Sequence, residues 1–156
     1  MNFNVKLILS LIFLLSTLFS QSQRGSNIAS DSEGAAPSMS GNGQVIVVKN
    51  GNAVTVYVWN GNNWTQRFNA NLNLQPTSSV DIDYDGSTVI VGYSSSNTTR
   101  VYQWNGSTYT QKGGTLSGSA GDLFGQSVAI SNDGDVIAIG APGDDDNGTN
   151  RGSVSV

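Results

Sequence analysis

The sequence predicts an all-β protein built from repeated antiparallel units. Two observations lead to this fold class. The chain is rich in turn-forming residues, with 19 glycines in 156 residues and frequent Asn, Ser and Thr after the first 22 positions. Short apolar runs of strand length follow Asn-Gly or Asp-Gly pairs at regular intervals, and this arrangement is typical of strands joined by tight turns.

The turn glycines define the repeat. Gly43, Gly86 and Gly134 each follow Asn or Asp, and they are 43 and 48 residues apart. An apolar run follows each turn glycine after one further residue, over residues 45–48, 88–91 and 136–139. The run at 136–139 has no polar face, which is typical of strands covered on both sides. We expect residues 45–48, 89–91 and 136–139 to form the most buried strands.

A second pattern recurs at an offset of 45 residues. Residues 59–66 and 104–111 both read W-N-G-x-x-aromatic-T-Q. Asn-Gly between strand-like segments predicts a hairpin with a type I′ turn, in which both central residues have positive φ. The flanking aromatic residues are predicted to pair across each hairpin, in preference to forming a platform for stacking sugars.

Each unit therefore contains four predicted strands, of which the third covers residues 54–59, 100–104 and 153–156. Four strands in 40–50 residues are typical of β-propeller blades. We predict a partial β-propeller of about two and a half to three repeats, with blades near residues 37–77, 78–123 and 124–156. The first copy carries Pro37 within its first strand, and we expect that strand to be degenerate or absent.

Residues 124–142 carry a resemblance to a known family. They open with Phe-Gly and close with Gly-Ala-Pro around a predicted hairpin. This arrangement resembles the FG-GAP repeat, the blade unit of the β-propeller in integrin α-chains and many secreted bacterial proteins. The resemblance is strongest over residues 124–156, weaker over 78–125 and weakest before that. It implies extracellular binding or adhesion.

Residues 1–22 are predicted to be a secretory signal peptide. Lys6 precedes an apolar stretch over residues 7–19, and Ser20 and Ser22 provide small residues before a cleavage site. The stretch is shorter than a membrane-spanning helix, so we expect secretion and no membrane span after cleavage. Residues 23–36 are polar and read as a flexible linker.

The third repeat stops within its third predicted strand, at Val156. We expect the chain to be a fragment of a longer protein, because a partial blade leaves a strand edge unpaired. Self-association through incomplete blades is the alternative.

Calcium is the first metal to consider, because integrin-type blades often carry the pattern D-x-D-x-D-G-x-x-D. The second repeat contains Asp81, Asp83 and Asp85, but Val89 replaces the final acidic residue. We expect these aspartates to be surface residues and predict no metal and no cofactor, with calcium at this site as the alternative. Residues 144–146 are three consecutive aspartates, predicted to form a solvated acidic loop, with a part in binding a cationic partner as the alternative.

Composition restricts the function. The chain has no His and no Cys, which removes most general-base, nucleophile and transition-metal schemes, and no catalytic residue is predicted. Only 7 Lys and Arg residues argue against nucleic-acid binding. The glycine pairs at residues 113–114 and 118–121 are predicted to be connections between blades. We predict a secreted, non-enzymatic recognition or adhesion module with an extracellular protein or glycan ligand. The alternative is the propeller part of a secreted polysaccharide-acting hydrolase or lyase.

Overall fold

A computed structural model describes residues 23–28, 36–50, 53–68, 78–146, 148 and 151–156. The predicted signal peptide lies outside these residues. The described chain forms three antiparallel sheets that follow one another in sequence. Each sheet is one blade, and its strands are paired in the order in which they occur along the chain.

Blades 1 and 2 have four strands each, and blade 3 has three among the described residues. Blade 1 contains β1 (Ala36–Met39), β2 (Val45–Asn50), β3 (Ala53–Trp59) and β4 (Trp64–Phe68). Blade 2 contains β5 (Ser79–Ile82), β6 (Thr88–Tyr93), β7 (Thr98–Trp104) and β8 (Tyr109–Ser117), with one 3₁₀ turn at Ser94–Ser96. Blade 3 contains β9 (Ser127–Ile130), β10 (Ile137–Ala141) and β11 (Ser153–Ser155).

The blades stack face to face, with blade 2 in the middle. Alternate side chains of β6 point to opposite faces, as the pleat of a strand requires. Val89 and Val91 pack into a core shared with blade 1, while Ile90 packs into a second core shared with blade 3. All of β6 is buried, which confirms the prediction for this run. The fold is thus an all-β, partial β-propeller.

The first strand of blade 1 forms despite Pro37, contrary to expectation. It pairs with β2 in register, with Pro37 opposite Val48. Proline lacks an N–H group and is tolerated in a strand with one unpaired edge. The strand β1 is such a strand, because it lies at the inner end of its sheet and pairs only with β2.

Burial of the third apolar run was overestimated. Val136 precedes β10 and is 53% exposed, and only Ile139 and Ala141 of the strand are buried. In blade 3, the face turned away from blade 2 has no sheet packed on it among the described residues. The run at 136–139 is apolar on both faces, but only the face towards blade 2 is covered by another sheet among the described residues.

The prediction of type I′ turns in the two aromatic hairpins was also wrong. Asn60 and Asn105 are not among the described residues with positive φ, whereas Gly61 and Gly106 have φ of 98° and 97°. Each loop has four residues, and the Asn side chain at its start accepts hydrogen bonds from the backbone N–H groups two and three residues later. The predicted aromatic pairs do form, with centroid distances of 5.3 Å for Trp59–Trp64 and 5.1 Å for Trp104–Tyr109.

Two segments predicted to be a connection between blades and a flexible linker instead lie in or against the blades. Gly113 and Gly114 lie inside β8 and do not connect blades, whereas residues 118–121 do. Residues 23–28, which belong to the predicted flexible linker, lie against blade 1. The Trp64 indole N–H donates to the backbone carbonyl of Arg24 at 2.9 Å.

Candidate functional site

The two ends of the blade array differ in chemistry. Consecutive antiparallel strands place their connections at alternate ends of the sheet. One end carries the glycine turns and the aromatic loops, and we call it the hairpin end. The other end carries, among the described residues, 94–97, 118–126, 142–146, 148 and 151–152, and we call it the loop end. Any recognition surface built from loops lies at one of these two ends.

At the hairpin end, an arginine joins blade 1 to blade 2. Arg67 on β4 lies with its guanidinium carbon 4.4 Å from the centre of the Trp104 ring. Its Nη1 donates to the carbonyl of Gly86 at 3.1 Å and to the Tyr109 hydroxyl at 3.3 Å. The Tyr109 hydroxyl donates in turn to Gly86 O at 2.6 Å. Arg67 thus stabilises the contact between blades, and its aromatic partners are not available as a ligand platform.

Arg67 is not among the residues predicted from the sequence, although the sequence contains a signal for it. Arg24, Arg67 and Lys112 are spaced by 43 and 45 residues, close to the spacing of the repeats. Arg24 contacts blade 1 in a similar way to that in which Arg67 contacts blade 2. Its guanidinium carbon is 4.3 Å from the Trp59 ring centre, and its Nη1 donates to Gly43 O at 2.8 Å.

Asp83 is buried, contrary to the expectation that it lies on the surface. Its side chain is 3% exposed, and its Oδ2 accepts hydrogen bonds from the Ser87 hydroxyl at 2.9 Å and the Thr88 N–H at 3.0 Å. The other oxygen, Oδ1, is buried with no hydrogen-bond partner. Asp83 therefore fixes the turn between β5 and β6.

Asp81 is half-buried and links the first strands of all three blades. Its Oδ1 accepts from the Ser38 hydroxyl of β1 at 2.5 Å, and its Oδ2 accepts from the Ile130 N–H of β9 at 2.9 Å. These first strands lie beside one another, with β5 between β1 and β9. Asp81 is also not the solvent-facing residue that the sequence predicted.

These positions do not fit a calcium site. Calcium requires six to eight oxygen ligands converging on one point. Both oxygens of Asp81 are engaged by protein donors, and Asp85 Oδ1 accepts from the Ser87 N–H at 2.8 Å. A hydrogen bond with the Ser87 side chain, together with that backbone bond, holds the pKa of Asp85 below its usual value. Within the described ranges, no three acidic side chains are grouped closely enough to hold a metal ion.

At the loop end, the connections are tied to one another. The Gly118 N–H donates to Asn97 O at 3.0 Å, and the Phe124 N–H donates to Asn97 Oδ1 at 3.3 Å. The Gly143 N–H donates to Asp122 O at 2.9 Å. Three loops therefore form one connected surface.

Carboxylates project from this surface. Asp145 and Asp146 are exposed, as predicted for the acidic loop, whereas Asp144 is half-buried. A hydrogen bond with the Ser153 side chain and another from the Asp146 N–H lower the pKa of Asp144. This carboxylate is therefore ionised over the whole neutral range, and the loop end offers negative charge to a ligand.

Comparison with known proteins agrees with this blade structure. Residues 117–156 match the FG-GAP repeat. The FG-GAP match covers blade 3 and the connection before it, and it confirms the resemblance drawn from Phe124 and the Gly-Ala-Pro sequence. No curated protein matches the chain.

Solved structures show the same fold. One of them, hydrazine synthase from Kuenenia stuttgartiensis, aligns with 79% of this chain at 16% identity and a TM-score of 0.53. The present chain spans 33% of the length of that chain. At such low identity the likeness concerns the fold alone. Among the described residues, no helix has the length and apolar character needed to cross a membrane.

Proposed function

We propose that this chain is a secreted, non-enzymatic recognition or adhesion module that binds an extracellular ligand with its loop end. The observation that carries the proposal is the connected surface formed by the described residues of the loop end. Loops fixed to a scaffold lose little conformational freedom when they bind. The FG-GAP match over blade 3 supports the same function, since the resemblance implies extracellular binding.

The charge of the loop end favours a cationic ligand. Asp144, Asp145 and Asp146 lie in one loop, and the chain has a formal net charge of −4. Exposed carboxylates attract cationic groups over about 10 Å at 0.1 M salt. The ligand is therefore a basic protein segment or an amine-bearing glycan, and binding weakens as salt is raised.

Binding to immobilised chain tests this proposal, with chitosan oligosaccharide and a lysine-rich peptide as cationic probes and heparin as the anionic control. We expect salt-sensitive binding of a cationic probe and none of heparin. Asp145→Lys should weaken binding at least tenfold. Asp135→Lys, which makes the same charge change at the exposed hairpin end, should leave it within twofold. Equal effects of the two substitutions would show that the loop end is not the site.

The alternative is a part of a polysaccharide-acting hydrolase or lyase. Incubation of the chain with alginate, xylan and chitosan, followed by assays for new reducing ends and for unsaturated sugars, separates the two functions. A recognition module releases no products. Product formation above that of a heat-denatured sample would overturn the non-enzymatic proposal.

A further inference from the structure

The turns between the first and second strands of the three blades lie side by side at the hairpin end. They cover residues 40–43, 83–86 and 131–134. The Asn42 N–H donates to Tyr84 O at 2.9 Å, and the Tyr84 N–H donates to Asn132 O at 3.0 Å. The turn of blade 2 is thus joined to the turns on both sides of it, and we call the three together the turn surface.

Tyr84 is the aromatic residue of the turn surface. It holds the second position of its turn, where the other two turns carry Gly41 and Asn132, and it is 51% exposed. A Cβ atom on Gly41 would lie 2.4 Å from Tyr84 Cδ2, 3.1 Å from Cε2 and 3.2 Å from Cγ. The ring therefore stands with its Cδ2 edge against Gly41, a contact that leaves its faces uncovered.

The faces of the Tyr84 ring are not used by other side chains of the described part of the chain. Trp59 and Trp104 each have an arginine over the ring, whereas no cation and no second aromatic ring lies against Tyr84 among the described residues. Single exposed aromatic residues are common on protein surfaces. Tyr84 differs from them because its backbone is bonded to both neighbouring blades, so it loses little conformational freedom when it binds a ligand.

Two carboxylates belong to the same surface. Asp85 and Asp133 hold the third position of their turns, and both are exposed. The Ser131 hydroxyl donates to Asp133 Oδ1 at 2.5 Å, and this bond lowers the pKa of Asp133, as the bonds with Ser87 lower that of Asp85. Both groups are therefore ionised at neutral pH. A carboxylate accepts short, strong hydrogen bonds from hydroxyl groups.

The negative charge of the turn surface is partly compensated by cations beside each turn. Arg24 donates to Gly43 O at 2.8 Å, Arg67 donates to Gly86 O at 3.1 Å, and Lys112 pairs with Asp135 at 3.9 Å. These cations weaken the attraction of the surface for a cationic ligand. A neutral ligand that carries hydroxyl groups can still use both the ring and the carboxylates.

We propose that the turn surface binds a neutral pyranose sugar, which stacks on Tyr84 and donates hydroxyl hydrogen bonds to Asp85 and Asp133. Pyranoses with equatorial hydroxyl groups, such as glucose and xylose, carry C–H groups on their ring faces. These C–H groups are attracted to the negative face of an aromatic ring. The site is separate from the loop end and does not depend on the ligand proposed there.

Titration of the full chain with cellohexaose, a neutral chain of glucose units, tests this proposal. The amide resonances of the turn surface, followed by ¹H–¹⁵N NMR, report binding in the wild type and in every variant. We expect saturable shifts with a Kd of about 1 mM, since one aromatic ring supplies the stacking contact.

Four variants locate the sugar on the turn surface. Tyr84→Ala should weaken binding at least about fivefold, whereas Tyr84→Phe, which keeps the ring, should stay within about twofold. Asp85→Asn should weaken it at least about threefold. Asparagine keeps the turn, because Asn42 holds the equivalent position in blade 1. The matched control is Leu123→Ala, which truncates a side chain that is 43% exposed at the loop end and should leave the Kd within about twofold.

Three results would overturn the proposal. The first is the absence of saturable shifts up to about 10 mM cellohexaose. The second is an unchanged Kd in Tyr84→Ala, with circular dichroism verifying that the variant keeps the β-sheet spectrum. The third is a lysine-rich peptide that shifts the same amides at lower concentration than the sugar does, because the turn surface would then select cations.

Discussion

Arg67 is the residue that joins blade 1 to blade 2 most directly. Its guanidinium stacks on Trp104 and donates to Gly86 O, so truncation removes a cation–π contact and a charged hydrogen bond together. Such contacts contribute about 0.5–1 and 1.5–3 kcal/mol, with a part recovered by water when the side chain is half-exposed. We predict that Arg67→Ala lowers the free energy of unfolding by about 1–3 kcal/mol, measured by urea denaturation.

Lys112 provides the control for this prediction. It holds the equivalent position on β8, but its ion pair with Asp135, at 3.9 Å, joins side chains that are 42% and 76% exposed. Surface pairs of this kind contribute about 0–1 kcal/mol. Lys112→Ala should therefore change stability by less than about 0.5 kcal/mol. If both substitutions had the same effect, Arg67 would be acting as an ordinary surface residue.

Asp83 stabilises the turn between β5 and β6. Replacement by alanine leaves the Thr88 N–H without its acceptor in a buried position, which costs about 1–3 kcal/mol. We predict a loss of this size for Asp83→Ala in urea denaturation. The exposed Asp145→Ala should stay within about 0.5 kcal/mol of the wild type.

The Asp83→Ala variant also tests whether calcium binds to the second repeat. An ion that bound only the folded chain would add about 2.7 kcal/mol at a hundredfold excess over its Kd. Because the aspartates of the second repeat are engaged by protein donors, we predict no rise in Tm with millimolar calcium. A rise that Asp83→Ala abolished would instead establish a calcium site.

Two buried tyrosines, Tyr93 and Tyr109, limit the stability of the fold at alkaline pH. Burial raises the pKa of Tyr93, reinforced by its hydrogen bond with Tyr102, and burial likewise raises the pKa of Tyr109. The unfolded chain releases these protons near pH 10, before the folded chain does. Stability is therefore intact below pH 10 and is lost as pH rises from there towards the folded-state pKa.

Tyrosinate absorbance, followed beside circular dichroism, measures this limit. We predict that ionisation of Tyr93 coincides with unfolding, and that Tyr93→Phe moves the alkaline midpoint upwards. Tyr84 is 51% exposed, and Tyr84→Phe should leave the midpoint unchanged. Ionisation of Tyr93 near pH 10 with the sheet spectrum intact would contradict its burial.

At the scale of the strand, a glycine of β6 allows the connection before blade 3 to lie close to blade 2. A Cβ atom on Gly92 would lie 2.1 Å from Gly125 O, which is backbone and cannot rotate away. We predict that Gly92→Ala destabilises the chain by more than about 2 kcal/mol, since the blades must separate. Gly114, also in a strand, has nothing within 4 Å of its Cβ position, and Gly114→Ala should be neutral or slightly stabilising in the same urea series.

The strands that the sequence predicted best are those whose pattern is local. The aromatic hairpins and the run at 88–91 were found because turn chemistry and apolar runs are visible within ten residues. The burial of Asp83 and the half-exposure of β10 were not, because both depend on which sheet packs against which face. Arg67 lies between these cases, since its partner is distant but its spacing follows the repeat.

At the scale of the whole molecule, the order of the blades follows from the alternation of one strand. In β6, Val89 and Val91 contact blade 1, while Ile90 contacts blade 3. A single strand thus divides the chain into two cores, and the loops of all blades are held at two common ends. The loop end has its position because of this stacking.

Methyl–methyl nuclear Overhauser effects from β6 test this arrangement most directly. The structure predicts cross-peaks from Val89 and Val91 to Val47 and Val56 of blade 1, and from Ile90 to Val128 and Ile139 of blade 3. These cross-peaks also distinguish stacked blades from one continuous sheet, in which the two faces of β6 would not meet different blades. Cross-peaks from Val89 and Ile90 to the same blade, or none from Ile90 to blade 3, would contradict the propeller arrangement.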